Sequence, residues 1–184
     1  MRADAQRNLD SLLDAAKAVF LEQGVDAPAK VITDRAGVGV GTLYRHFPLR
    51  SDLVVAVFRH EVDAAADAAP AIAARYEPGE ALSRWLDRFT EFVAAKRGLA
   101  AALHSGDPAF EPLPGYFQER FGPTLTSLLE AAAAAGDIRA DVDAVNLLHA
   151  VSNLCMSPTD DGPDYSRRMV ALLVDGMRFG APAR

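Results

Sequence analysis

The chain holds a single cysteine, Cys155, so no internal disulfide can form. Within an apolar helical pattern that thiol reads as buried and structural rather than as a redox sensor. No run of about 18 apolar residues occurs, so nothing is expected to span a membrane. The stretch 1–10 is polar, which argues against a secretory signal and makes the cytoplasm the expected compartment. The alternation of apolar and polar residues that marks strands is missing, as is any Asn-Gly hairpin turn. The four histidines (46, 60, 104 and 149) include no i, i+4 pair, so spacing supports no metal site. Asp160, Asp161 and Asp164 are spaced too irregularly for a calcium loop and read as a solvated turn. His104, Ser105 and Asp107 lie close in sequence, but adjacency is not a catalytic triad. No enzyme and no cofactor are expected.

What the chain does have is alanine-rich, apolar sequence at helical period. Hydrophobic residues make up 50% of its 184 positions, enough for one or two small domains with a real core. The expected fold is all-α, with about nine helices. A first helix covers about 8–23, with Leu9, Leu12, Leu13, Ala16, Val19 and Phe20 inward. A fourth begins at Ser51, capped by Ser51-Asp52, and runs toward Ala69, where Pro70 should interrupt it. Further helices are expected at 78–97 and 99–105, and at 116–135 with a kink or split at Gly122-Pro123. Two more follow at 142–156, capped by Asp141, and at about 164–179. Residues 106–115 and 158–163 read as loops.

The segment from Val31 to Arg50 is the most informative. A short helix over 29–35 starts after Pro28, which suits a first turn. It stops at Gly37, a residue able to take the left-handed conformation that ends helices. A second short helix over 39–46 buries Leu43 and Phe47, four apart on one face. This is the outline of a helix-turn-helix, whose second helix enters the major groove of DNA. Its outward face carries Val40, Gly41, Thr42, Tyr44, Arg45 and His46. Gly41 permits close backbone approach, and Val40 suits a thymine methyl. Thr42, Tyr44 and His46 are donors for phosphate oxygens, which fix register rather than read sequence. Lys30, Arg35 and Arg50 add positive charge, Arg50 where a second phosphate could be gripped. Residues 27–50 hold four basic side chains against Asp34 alone, in a chain of net charge −6. A locally basic head on an acidic protein is what phosphate attraction requires.

Two other readings compete. Tyr44 and Phe47 could be core aromatics of an unrelated helical module that binds proteins and has no DNA role. The run Gly37-Val-Gly-Val-Gly41-Thr42 suggests a phosphate loop, but it has no Lys before the Thr and no preceding strand.

The first 58 residues resemble the N-terminal domain of the TetR family of transcriptional regulators. The resemblance rests on Leu12-Leu13-Asp14-Ala15-Ala16, Val19-Phe20, Gly24, Ala36-Gly37-Val38, the run from Gly41 to Pro48, and Leu53. Thr33 departs from the family pattern, which usually has Ala there. Ala95–Leu99 and Gly136–Val142 are similar to the C-terminal domain of the SbtR-like subgroup. The resemblance implies residues 1–58 as a DNA-binding domain and 59–184 as a helical bundle for effector binding and dimerisation. It also implies double-stranded DNA with a palindromic operator, a second copy of the chain and a small-molecule effector as partners. With no flexible linker in view, the fourth helix is expected to couple the two parts.

In the second domain Trp85, Phe89, Phe92, Phe117 and Phe121 form either an ordinary core or the wall of an effector cavity, with His104, Ser152 and Asn153 as polar points. The last two helices read as a dimer interface through Val145, Leu148, Met169, Leu172, Leu173, Gly176 and Met177, because the final helix is apolar over more than one face.

Overall fold

The structure is a computed structural model and describes residues 2–156 and 162–178. Among these residues there is no strand; they form nine α-helices and one 3-10 turn, Pro108–Phe110. The helices are α1 (Arg2–Gln23), α2 (Ala29–Ala36), α3 (Val40–His46), α4 (Arg50–Ala73), α5 (Pro78–Arg97), α6 (Ala100–Leu103), α7 (Leu113–Ala134), α8 (Ala144–Cys155) and α9 (Gly162–Arg178). Among the described residues, no helix is long and apolar enough to cross a membrane. Asp160, Asp161, most of the expected 158–163 loop and Phe179 lie outside the described residues.

Two compact units emerge. The first comprises Met1–Glu61 with Ala95–Pro114, and the second Val62–Ala94 with Gly115–Arg184. The core of the first is built from Leu12, Ala16, Val19 and Phe20 of α1, Ile32 of α2, Leu43 of α3, and Leu53, Val54 and Val57 of α4, all buried. The second buries Trp85, Leu86 and Phe89 of α5, Phe121 and Leu125 of α7, and Leu148 and Val151 of α8.

Several helix ends differ from the sequence expectation. α4 passes through Pro70 and ends at Ala73. Near a C-terminus the missing N–H leaves only the Ala66 carbonyl without its usual partner, and Ala74 N–H still bonds Pro70 O at 3.0 Å. α7 starts at Leu113, taking Pro114 into its first turn, and continues through Pro123 without a split. An interior proline costs about 3 kcal/mol. Burying Phe121, Leu125 and Leu128 contributes about 2 kcal/mol each, so packing wins. Thr124 and Thr126 hydroxyls donate to the Arg120 and Gly122 carbonyls beside the proline. α8 is capped by Asp143, which accepts from Asn146 N–H at 2.8 Å. Asp141, expected in that role, instead pairs with Arg139.

Candidate nucleic-acid interface

Gly37 sets the angle between α2 and α3. Its φ of 68° and ψ of 28° are left-handed, a region glycine enters without a Cβ clash. Its N–H bonds Asp34 O, and Val38 N–H bonds Thr33 O at 3.0 Å. Those bonds close the helix end and turn the chain sharply. Thr33 is fully buried, and its hydroxyl is satisfied by the Lys30 carbonyl at 3.1 Å. The departure from the family's alanine thus costs no unpaired polar group.

α3 buries Leu43 and turns the rest outward. Tyr44 is 54% exposed; Gly41, Arg45 and His46 are exposed, and Val40 and Thr42 are half-buried. A Cβ at Gly41 would meet nothing within 4 Å, so this side of the helix is open to a partner's surface. Apart from Leu43, every residue of α3 is thus exposed or half-buried, and the nominated ones make up all of its accessible surface.

The cations around it are engaged by acceptors of the chain itself. Arg45 curls along α3, donating from Nε to Gly41 O at 3.1 Å and from a terminal nitrogen to Thr42 Oγ1 at 3.0 Å. Lys30 pairs with Asp34 at 2.9 Å. Arg35 grips Glu22 of α1 through two bonds of 2.8 and 2.7 Å. Those hydrogen bonds hold the Glu22 carboxyl below the usual carboxylate range and raise the Arg35 guanidinium. All four side chains of these two pairs are substantially exposed, so phosphates can replace the carboxylates at small cost.

Arg50 behaves differently. It is half-buried, donates to the Ala27 carbonyl at 2.6 Å and lies over the Phe20 ring at 5.9 Å. Its place is a brace between the start of α4 and the turn before α2. The first turn of α4 begins at Arg50, and the Asp52 carboxylate reaches back to Leu49 N–H at 2.9 Å. Ser51, expected as part of the cap, is inside the helix.

The five aromatics nominated in the second unit do come together. Trp85 stacks on Phe89 at 5.7 Å. Phe121 meets Phe89 and Phe92 edge-on at 5.2 and 5.1 Å, and Phe117 lies 4.9 Å from Phe121. Trp85 Nε1 donates to the Ala65 carbonyl at 2.9 Å, leaving no unpaired indole N–H in the core. Of their nominated polar partners, His104 belongs to the first unit and is exposed, its ring facing Ala100 O. Asn153 is exposed on α8 and Ser152 half-buried.

Of the seven nominated interface residues, Leu148 and Met177 are buried within the chain. Leu172 is 65% exposed and Val145 44%; Gly176 is exposed, and Met169 and Leu173 are half-buried. Met169, Leu172, Leu173, Gly176 and Met177 line an open groove of about 570 Å³, with Arg139 and Asp141 also on its wall.

Comparison with known proteins gives the constellation its context. Residues 77–179 match the family described as "Transcriptional regulator SbtR-like, C-terminal domain", and residues 12–57 match "Bacterial regulatory proteins, tetR family". A helix-turn-helix-type transcriptional regulator of Staphylococcus aureus strain USA300 is 39% identical over 64 residues, 34% of this chain. That match spans only 35% of the relative's length. A TetR transcriptional regulator from Streptomyces coelicolor is 38% identical with a TM-score of 0.81, over 94% of this chain and 99% of its own. A gamma-butyrolactone receptor, an ArpA-like protein, is 26% identical with a TM-score of 0.64, over 95% of this chain and 90% of its own. The short α2–α3 pair with its left-handed glycine turn, the helical second unit and these matches together place the chain in the TetR family of transcriptional regulators.

Proposed function

We propose that the protein is a homodimeric transcriptional repressor of the cytoplasm, without catalytic activity, that binds a palindromic DNA operator and is released by a small apolar molecule. The observation that carries the reading is the outward face of α3: one buried leucine anchors a helix whose other side chains are polar, basic or small. In this assignment Val40 and the backbone at Gly41 meet base edges. Thr42, Tyr44, Arg45 and His46 take phosphates, and Lys30 and Arg35 join them by exchanging carboxylate for phosphate. Arg50 supports the phosphate-facing end of α4.

The second copy of the chain is assigned to the α8–α9 groove, where it would cover Leu172 and Met169, and to the neighbouring exposed Val145 of α8. The effector is assigned to the aromatic interior around Trp85, Phe89 and Phe121, supported by the similarity to a gamma-butyrolactone receptor. An apolar molecule there must separate stacked rings, so it binds only a conformation in which they part. It shifts the dimer by its differential affinity for the two conformations. α4 contributes residues to both units, as do α5 and α7, and α4, which follows α3, is the covalent path assigned to the coupling.

A mobility shift with DNA upstream of the protein's own gene tests the DNA assignment. A retarded band that survives excess nonspecific DNA is expected. Titrating apolar compounds against Trp85 fluorescence and DNA release together tests the effector. Compounds that quench Trp85 without altering DNA affinity would leave a pocket with no switch.

A further inference from the structure

We propose that Asp14, His60 and Glu61 form a binding site for a divalent transition-metal ion of zinc-like chemistry, between α1 and α4. The sequence offers no spacing that suggests it. His60 and Glu61 are neighbours on α4, and Asp14 stands on α1, 46 positions before His60. Folding of the first unit brings one ligand atom from each to within 4.8 Å of the other two, the one such grouping among the described residues. His60 Nε2 and Asp14 Oδ1 are already 3.5 Å apart. A zinc ion with bonds of about 2.0–2.2 Å holds tetrahedral ligands about 3.3 Å apart. Asp14 and His60 are therefore at coordinating separation, with a Glu61 carboxylate oxygen no more than 4.8 Å from either ligand atom.

Chemistry favours a borderline cation over calcium or magnesium. One imidazole with two carboxylates is a nitrogen–oxygen set suited to zinc, whereas calcium takes six to eight oxygens and magnesium an octahedral oxygen shell. Three protein ligands leave a fourth position for water, so the site is open rather than closed. The Glu61 side chain is only 12% exposed, which gives the ion one ligand in a partly dry setting.

That buried carboxylate is now neutralised by Lys17, whose ammonium is 2.6 Å from Glu61 Oε2. Lys17 is thus a built-in competitor. Its side chain is 36% exposed and can swing into water when a dication takes its place. Metal binding would exchange an ammonium–carboxylate pair for a coordinate link from α4 to α1, in the unit that contains α3. The link would stiffen the packing of α1 on α4 without touching the α3 face.

Zinc chloride titrated by calorimetry into EDTA-stripped, desalted full-length protein tests the site, with cobalt absorption as a second readout of a nitrogen–oxygen set. One ion per chain is expected. Asp14→Asn, which changes a mostly exposed side chain, should weaken binding tenfold or more without altering the circular dichroism, and His60→Gln should do the same. Lys17→Met should tighten binding severalfold, an effect that adventitious zinc on a lone surface histidine would not show. Zinc affinity unchanged by both Asp14→Asn and His60→Gln, or no binding below millimolar zinc, would overturn the proposal.

Discussion

α3 and α9 are both surface helices, and they solve the problem of exposure in opposite ways. α3 faces outward with Tyr44, Arg45 and His46, and its cation folds onto oxygens of its own helix. The neighbouring cations on α2 are held by Asp34 and Glu22. α9 faces outward with Leu172, 65% exposed, beside half-buried Met169 and Leu173. A polar surface loses little by standing in water and can exchange one acceptor for another. An apolar surface of this kind gains roughly 25 cal/mol for each Å² it covers. The first is suited to a partner that comes and goes, the second to one that stays. DNA and a second copy of the chain fit those two roles.

The widest gap between the two surfaces should appear with Leu172→Glu. The side chain is exposed in the single chain, so folding should be unaffected, whereas a two-fold interface would bury two carboxylates at a cost of several kcal/mol. Light scattering should report monomers, and operator binding should fall with the dimer although α3 is intact. A soluble dimer of unchanged mass would remove α9 from the interface. A smaller effect is expected from Tyr44→Phe: loss of one phosphate hydrogen bond, about 1 kcal/mol, equal across all DNA sequences. An altered sequence preference in fluorescence anisotropy would contradict the phosphate assignment. The smallest effect should come from Glu22→Gln, which releases Arg35 from its bidentate partner. DNA affinity should rise slightly for every sequence alike, because Arg35 then reaches a phosphate without first giving up a carboxylate. Affinity unchanged by Glu22→Gln would mean that Arg35 stays away from the backbone.

Local signals carried most of the fold. Pro28 before α2, Gly37 after it and the Leu43 spacing are short-range features, and α2, α3 and the turn stand where they predict. The Trp85–Phe89–Phe92 and Phe117–Phe121 spacings likewise mark two helix faces that do meet. Pro70 misled because near a helix end it leaves only one carbonyl without its partner, and Pro123 does not split α7 because its local cost is outweighed by core burial that no local pattern reveals. The cap on α8 lies two residues later than expected because Asp141 is drawn to Arg139. At the candidate interface, residue types were legible but their engagements were not. Arg35 meets a carboxylate 13 residues away, and Arg50 a carbonyl 23 residues away. Such pairings are set by how α1, α2 and α4 pack. The Asp14–His60–Glu61 grouping was hidden for the same reason.

Whether α3 reads a defined DNA sequence in duplicate is tested most directly by sequencing the DNA that co-purifies with the protein from cross-linked cells. Discrete enriched sites are expected, each an inverted repeat with half-site centres about 34 Å apart, lost when Val40 and Tyr44 are both replaced by alanine. Uniform recovery of genomic DNA, or sites that persist in that double variant, would rule out sequence reading by α3.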